Sequence, residues 1–108
     1  MPLYLVRFSY TPQAWKKLIE NPEDRRGPVA ALVESTGGKL HGLWYAFGEQ
    51  DGIVLFEAPD NVAAAAVSVT ASASATIKST QMAVLLTMEE MVESLERASE
   101  LSFEPPGA

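Results

Sequence analysis

Residues 3–10 alternate in side-chain character and are rich in β-formers, which predicts a first strand. Thr11-Pro12 then supplies an N-cap followed by Pro at the first helical position. Ala14, Trp15, Leu18 and Ile19 form one apolar stripe of the helix that follows. Asn21-Pro22 breaks or kinks it, because Pro removes a backbone donor. Helical spacing resumes at Val29, Leu32 and Val33 and stops at Gly37-Gly38, residues that tolerate positive φ. Residues 39–47 and 52–58 are two further β-rich runs, and the short Gly-bounded link between them makes an antiparallel hairpin. Asp60 caps an alanine-rich helix over 61–72, with Val62, Ala65, Ala66 and Val69 at helical spacing. Residues 76–86 read as a fourth strand. Thr87-Met88-Glu89-Glu90 is a capping box, and the helix after it turns Met88, Met91, Val92, Leu95 and Ala98 inward.

The order is β-α-β-β-α-β-α, an α+β arrangement. Two βαβ halves joined by a hairpin predict a ferredoxin-like sandwich with an extra C-terminal helix and both crossover helices on one face of the sheet. Residues 1–102 make the domain and 103–108 a flexible tail. Pairing Phe47 with Gly52 places Tyr45 opposite Val54 and Leu43 opposite Phe56 on the helical face, with Tyr4, Val6 and Phe8 beside them. The open face then carries Leu3, Leu5, Arg7, Ser9, Trp44, Ile53, Leu55 and Glu57. That surface is too apolar to leave wet, and a second subunit is the simplest cover. For the fourth strand, either Ser79 and Gln81 or Lys78 and Thr80 share the open face.

The stretch from Leu40 to Asp60 also resembles the GYD family of small bacterial proteins, whose members carry a Gly-Glu-Tyr-Asp turn and then a strand ending Glu-Ala-Pro-Asp. Gly48, Glu49, Asp51, Glu57, Ala58, Pro59 and Asp60 match, and Gln50 stands in place of the Tyr. The resemblance covers nearly the whole chain. It implies the same ferredoxin-like order and a dimeric α/β barrel closed through the open sheet faces, without an agreed biochemical function.

Composition narrows the chemistry. A chain of 108 residues is one domain. With no Cys, thiol nucleophiles, disulfides and zinc-thiolate sites are excluded. A net charge of -6 with no basic stripe argues against nucleic acid. No basic start with a long apolar run suggests a signal peptide, and no stretch approaches the roughly 18 apolar residues of a membrane span, so the expectation is a cytoplasmic protein.

Four residues are candidates for ligand binding: Arg7, His41, Trp44 and Glu57. In a ferredoxin-like sheet the first and third strands are expected side by side and parallel, so Arg7 and Glu57 meet late in both. They would be either a structural ion pair at an interface rim or a carboxylate base beside an anion-gripping guanidinium. His41, the one histidine, can move protons near neutral pH, or simply end a strand. A lone histidine without His-x-His spacing implies no metal site, and nothing in the sequence calls for a cofactor. Trp44 packs an interface or lines a cavity. No Gly-x-Ser-x-Gly or phosphate-cradling loop is present. The expected function is a dimeric small-ligand-binding or accessory protein, homodimeric or larger, taking a small hydrophobic or anionic ligand. The alternative is a small cofactor-free enzyme, an isomerase or monooxygenase, acting on a hydrophobic ring compound inside the barrel. A deep pocket holding Glu57 or His41 beside aromatic walls would favour the enzyme.

Overall fold

The computed structural model describes residues 1–107. Its elements run β1 (Leu3–Tyr10), α1 (Pro12–Glu20), α2 (Arg26–Glu34), β2 (Lys39–Tyr45), β3 (Gly52–Glu57), α3 (Asn61–Ala73), β4 (Ile77–Leu85) and α4 (Met88–Ala98). The sheet order is β2-β3-β1-β4 and every neighbouring pair is antiparallel. This is the expected ferredoxin-like α+β topology. Residues 103–107 form neither helix nor strand, and Ala108, the end of the expected tail, lies outside the described residues.

The caps fall where the residue types demand them. The Thr11 side chain accepts from the Ala14 N–H with Pro12 opening α1, and the Asp60 carboxylate accepts from the Ala63 N–H at 2.8 Å. Thr87 and Glu90 satisfy each other's backbone donors, completing the capping box. The break at Asn21-Pro22 is complete and separates α1 from α2. Gly37 ends α2 with φ +88°, a left-handed conformation that favours glycine. Gly38 is glycine for space, since a Cβ there would lie 2.1 Å from the Glu57 carbonyl oxygen.

The core sits between the sheet and the helices, around Tyr4, Val6, Val33, Phe56, Ala58, Ala64 and Val67. Tyr4 is fully buried, stacks on Phe56 at 5.5 Å and donates its hydroxyl to Asn61 Oδ1 at 2.7 Å. That bond ties the start of α3 to β1.

Three expectations are corrected. In α3 the buried residues are Ala64 and Val67, while Val62, Ala65, Ala66 and Val69 face solvent. In a helix this rich in alanine the apolar residues surround the axis, so hydropathy does not choose a face. The Asp60 cap and the Tyr4–Asn61 bond do. In α1, Ala14 is buried, but Ile19 is exposed and Trp15 is half-exposed. In α4 no residue is buried. Met88 is 75 % exposed, Leu95 58 %, and Met91 and Val92 are exposed with them. The helix projects from the body, which stretches the molecule to 58 × 35 × 22 Å with a radius of gyration of 17.5 Å. A compact chain of this length would have a radius near 13 Å.

The hairpin is also shifted. Tyr45 pairs with Gly52, Trp44 with Ile53, Leu43 with Val54 and Gly42 with Leu55, two residues from the expected register. A shift of two keeps every side chain on its expected face, so Trp44 remains on the open face. A bulge at His41 restores Leu40 opposite Phe56 in the core. In β4, Arg7 pairs with Gln81 and Ser9 with Ser79, which places Ser79 and Gln81 on the open face.

Candidate functional site

The shifted register follows from how the turn is held. The Ala46 N–H donates to the Asp51 carbonyl at 2.8 Å and the Asp51 N–H donates to the Phe8 carbonyl at 2.8 Å, so the turn folds down onto the end of β1. The Asp51 carboxylate accepts from the Tyr10 N–H at 2.9 Å and from Trp15 Nε1 at 3.3 Å. Gln50 accepts a bond from the Ser9 hydroxyl at 3.0 Å. One side chain of the turn thus ties β1 to α1, and its neighbour fixes the buried Ser9.

These bonds assemble an aromatic corner. Tyr10 meets the Trp15 ring edge-on at 5.0 Å and the Phe8 ring at 5.2 Å. The Tyr10 and Tyr45 hydroxyls lie 3.1 Å apart. Burial, and then the hydrogen bond with Tyr45, push the Tyr10 phenol well above the usual range, against the opposing pull of the Arg25 guanidinium. Tyr10 is neutral at any physiological pH and serves as a hydrogen-bonding group.

Behind this corner lies a cavity of about 240 Å³ between α2, α3 and the helical face of the sheet. Its walls are apolar, among them Val6, Leu32, Val54, Val67 and Ile77. Polar residues reach it as well, Tyr10, Arg25 and Ser68 beside four more hydroxyl side chains, those of Thr70, Ser74, Thr76 and Thr80. Arg25 is held in place by Glu23, its Nη1 2.6 Å from Oε1. The Ser68 hydroxyl is buried and has no hydrogen-bond partner. A buried hydroxyl without a partner costs on the order of 1–3 kcal/mol, so it stands ready for a ligand to satisfy.

The four residues expected at a site lie on the other face of the sheet, and of them only His41 and Glu57 come together. β1 and β3 are antiparallel, so Glu57 faces Leu3 whereas Arg7 faces Ile53. Four residues of strand separate them, about 13 Å at ~3.3 Å per residue. The expected Arg7–Glu57 pair is therefore not formed; an antiparallel neighbour brings an early residue beside a late one. The partner of Glu57 is His41, whose Nε2 lies 3.4 Å from Oε1, brought over by the bulge, and the two form an ion pair when the imidazole is protonated. The Trp44 ring lies over Gly42, where a Cβ would meet it at 2.3 Å, and it is 53 % exposed. Arg7 is exposed and forms no ion pair among the described residues. No group of three acidic or histidine side chains among the described residues could hold a metal. None of their helices is long and apolar enough to cross a membrane.

Tyr10, Arg25 and Ser68 were not among the expected site residues. Tyr10 ends a strand, Arg25 belongs to a charged run that reads as a solvated turn, and Ser68 is one small residue in an alanine-rich helix. Only the alternation of β1, which puts Tyr10 on the helical face with Phe8, pointed toward the cavity.

With this turn and the strand ending Glu57-Ala58-Pro59-Asp60 in place, the model of one protein family, the GYD domain, matches residues 4–95. The chain belongs to the GYD family. In this GYD protein the turn's Asp51 has a structural task, and Gln50, at the position of the family pattern's Tyr, bonds Ser9. Among solved structures the GYD chain is similar to an uncharacterized NIPSNAP domain protein from Burkholderia xenovorans, with a TM-score of 0.45 and 12 % identity over 81 % of this chain and 94 % of that one. No curated protein matches the chain.

Proposed function

We propose that this protein is a homodimeric binding module that takes a small apolar ligand with an acidic or acceptor end. The observation that carries this is the Ser68 hydroxyl, buried without a partner in an apolar cavity that Arg25 and Tyr10 also reach. The apolar walls supply affinity, and a few convergent polar groups fix orientation. Arg25 suits an anionic group, because a guanidinium offers a rigid fork of donors to a carboxylate. The open face supports the dimer: Leu5, Trp44, Ile53 and Leu55 form an apolar surface that needs a cover. The enzyme alternative lacks its criterion, since neither Glu57 nor His41 lines the cavity.

Octanoate and octanol are suitable probes, alike in chain and different in charge. Calorimetric titration is expected to show binding of both, with octanoate tighter. Ser68→Leu, which fills the cavity, is expected to abolish both. Arg25→Gln is expected to weaken octanoate at least tenfold and leave octanol nearly unchanged. Absence of heat for both probes with the unaltered protein, or binding indifferent to Ser68→Leu, would overturn the reading.

A further inference from the structure

The cavity meets its polar groups at two depths, and their separation narrows the ligand further than either group does alone. Bonds at both ends align α3 with β1. At one end the Tyr4 hydroxyl reaches Asn61. At the other the Thr11 N–H donates to the Thr76 carbonyl at 2.9 Å, and the Thr11 hydroxyl donates to the Ala75 carbonyl at 3.2 Å. Ser68 therefore lies midway along the sheet. Ser74, at the Thr11 end, follows six residues later, about 9 Å on at ~1.5 Å per residue. Beyond Ser68 the far end is closed by Tyr4, Val33 and Phe56, all fully buried. The near end meets solvent at Arg25, whose side chain is 35 % exposed and stands by Tyr10, whose phenol feels its charge.

The two depths offer different chemistry. At the near end Ser74 donates to the Ala71 carbonyl and lies 2.6 Å from the Thr76 hydroxyl, so these hydroxyls satisfy each other. Arg25 gives one nitrogen to Glu23, and the rest of its fork has no hydrogen-bond partner among the described residues. Ser74, Ser94 and Ser99 return their hydroxyls to carbonyls three or four residues back, the usual resort of a serine in or at the end of a helix. Ser68 does not, and its buried hydroxyl is left without a partner beside the cavity. A hydrocarbon tail running past Ser68 would leave that donor unpaired, and a second carboxylate there would be buried without a counter-charge. A neutral acceptor avoids both penalties. A volume of about 240 Å³ falls below the roughly 300–1,000 Å³ of pockets for drug-sized ligands, which suits a slender chain rather than fused rings. We infer that the ligand is a medium-chain carboxylate with a neutral carbonyl or ester oxygen near its inner end, the carboxylate on Arg25 and the inner oxygen accepting from Ser68. This inference rests on the binding-module reading and adds the ligand's second polar end.

Monomethyl suberate, octanoate and suberate share one chain length and differ at the inner end: a neutral acceptor, a methyl group and a second charge. Calorimetric titration of the full chain at neutral pH is expected to show the monoester binding about fivefold tighter than octanoate. Suberate is expected to bind at least tenfold more weakly than its monoester. Ser68→Ala, which suits an alanine-rich helix, is expected to bring the monoester and octanoate within twofold of each other, with a thermal midpoint no lower than the parent's. Arg25→Gln is expected to weaken both and leave their ratio unchanged. Equal affinity for the monoester and octanoate in the unaltered protein, suberate as tight as its monoester, or a preference that survives Ser68→Ala would overturn the second acceptor while leaving a one-ended ligand in the cavity. No heat with any of the three would overturn both readings.

Discussion

Tyr10 carries the most consequences of any single residue. Its N–H is held by Asp51, its ring joins the aromatic corner, and its hydroxyl bonds Tyr45 at the cavity. Because burial and that hydrogen bond raise its pKa above the ordinary value of 10, the folded protein holds the phenolic proton more tightly than the unfolded chain. The unfolded state then releases the proton first as pH rises, so stability is present in full below pH 10 and falls above it. The Tyr4 phenol is raised in the same direction, by burial and then by the charge of Asp60. Unfolding measured from pH 8 to 11 should show a stability loss beginning near pH 10. Tyr10→Phe should make that loss shallower without removing it, since Tyr4 still contributes. An alkaline slope identical to the parent's would mean that the Tyr10 hydroxyl is solvated.

At the scale of elements, close approaches decide more than propensities. Gly38 lets the start of β2 pass against the end of β3, and the atom in its way is a backbone carbonyl that cannot swing aside. Gly42 makes room for the Trp44 ring, a side chain that is half in solvent and can rotate. Gly38→Ala should therefore cost about 1–3 kcal/mol by overpacking, and Gly42→Ala less than about 1 kcal/mol in the isolated protomer. Urea midpoints at unchanged m-values check both. Comparable costs would mean that the β2–β3 contact relaxes more readily than its backbone suggests. The strands and caps were readable beforehand because alternation and capping are local: β1, the Thr11 and Asp60 caps and the capping box stand where the residues place them. The buried face of α3 was not, since a helix of alanines presents apolar atoms all round and a distant hydrogen bond from Tyr4 chooses its orientation. The Arg7–Glu57 pair failed for a related reason. Which residues of two strands meet depends on their relative direction, a property of the topology rather than of either strand. The cavity residues were hidden because a space between elements has no signature in any one of them.

For the whole molecule, the decisive feature is apolar surface left outside the core. Leu95, Met88 and Val92 on α4 and Trp44 on the sheet are all more than half exposed. A stable fold of this size keeps such surface outside its own core only where something else covers it. If the cover is another copy, folding is coupled to association. The midpoint of thermal unfolding must then rise with protein concentration, because the folded dimer is favoured by mass action and the unfolded chain is not. Scans over a hundredfold range of concentration should show a steady rise in midpoint, and Trp44→Glu, on the open face, should flatten it. The net charge of -6 adds a salt dependence. Salt screens the repulsion between two chains of like net charge. The parent's midpoint should therefore rise with ionic strength. A midpoint independent of concentration in the parent, at every salt level, would mean that the protomer tolerates this surface alone and that the dimer does not form.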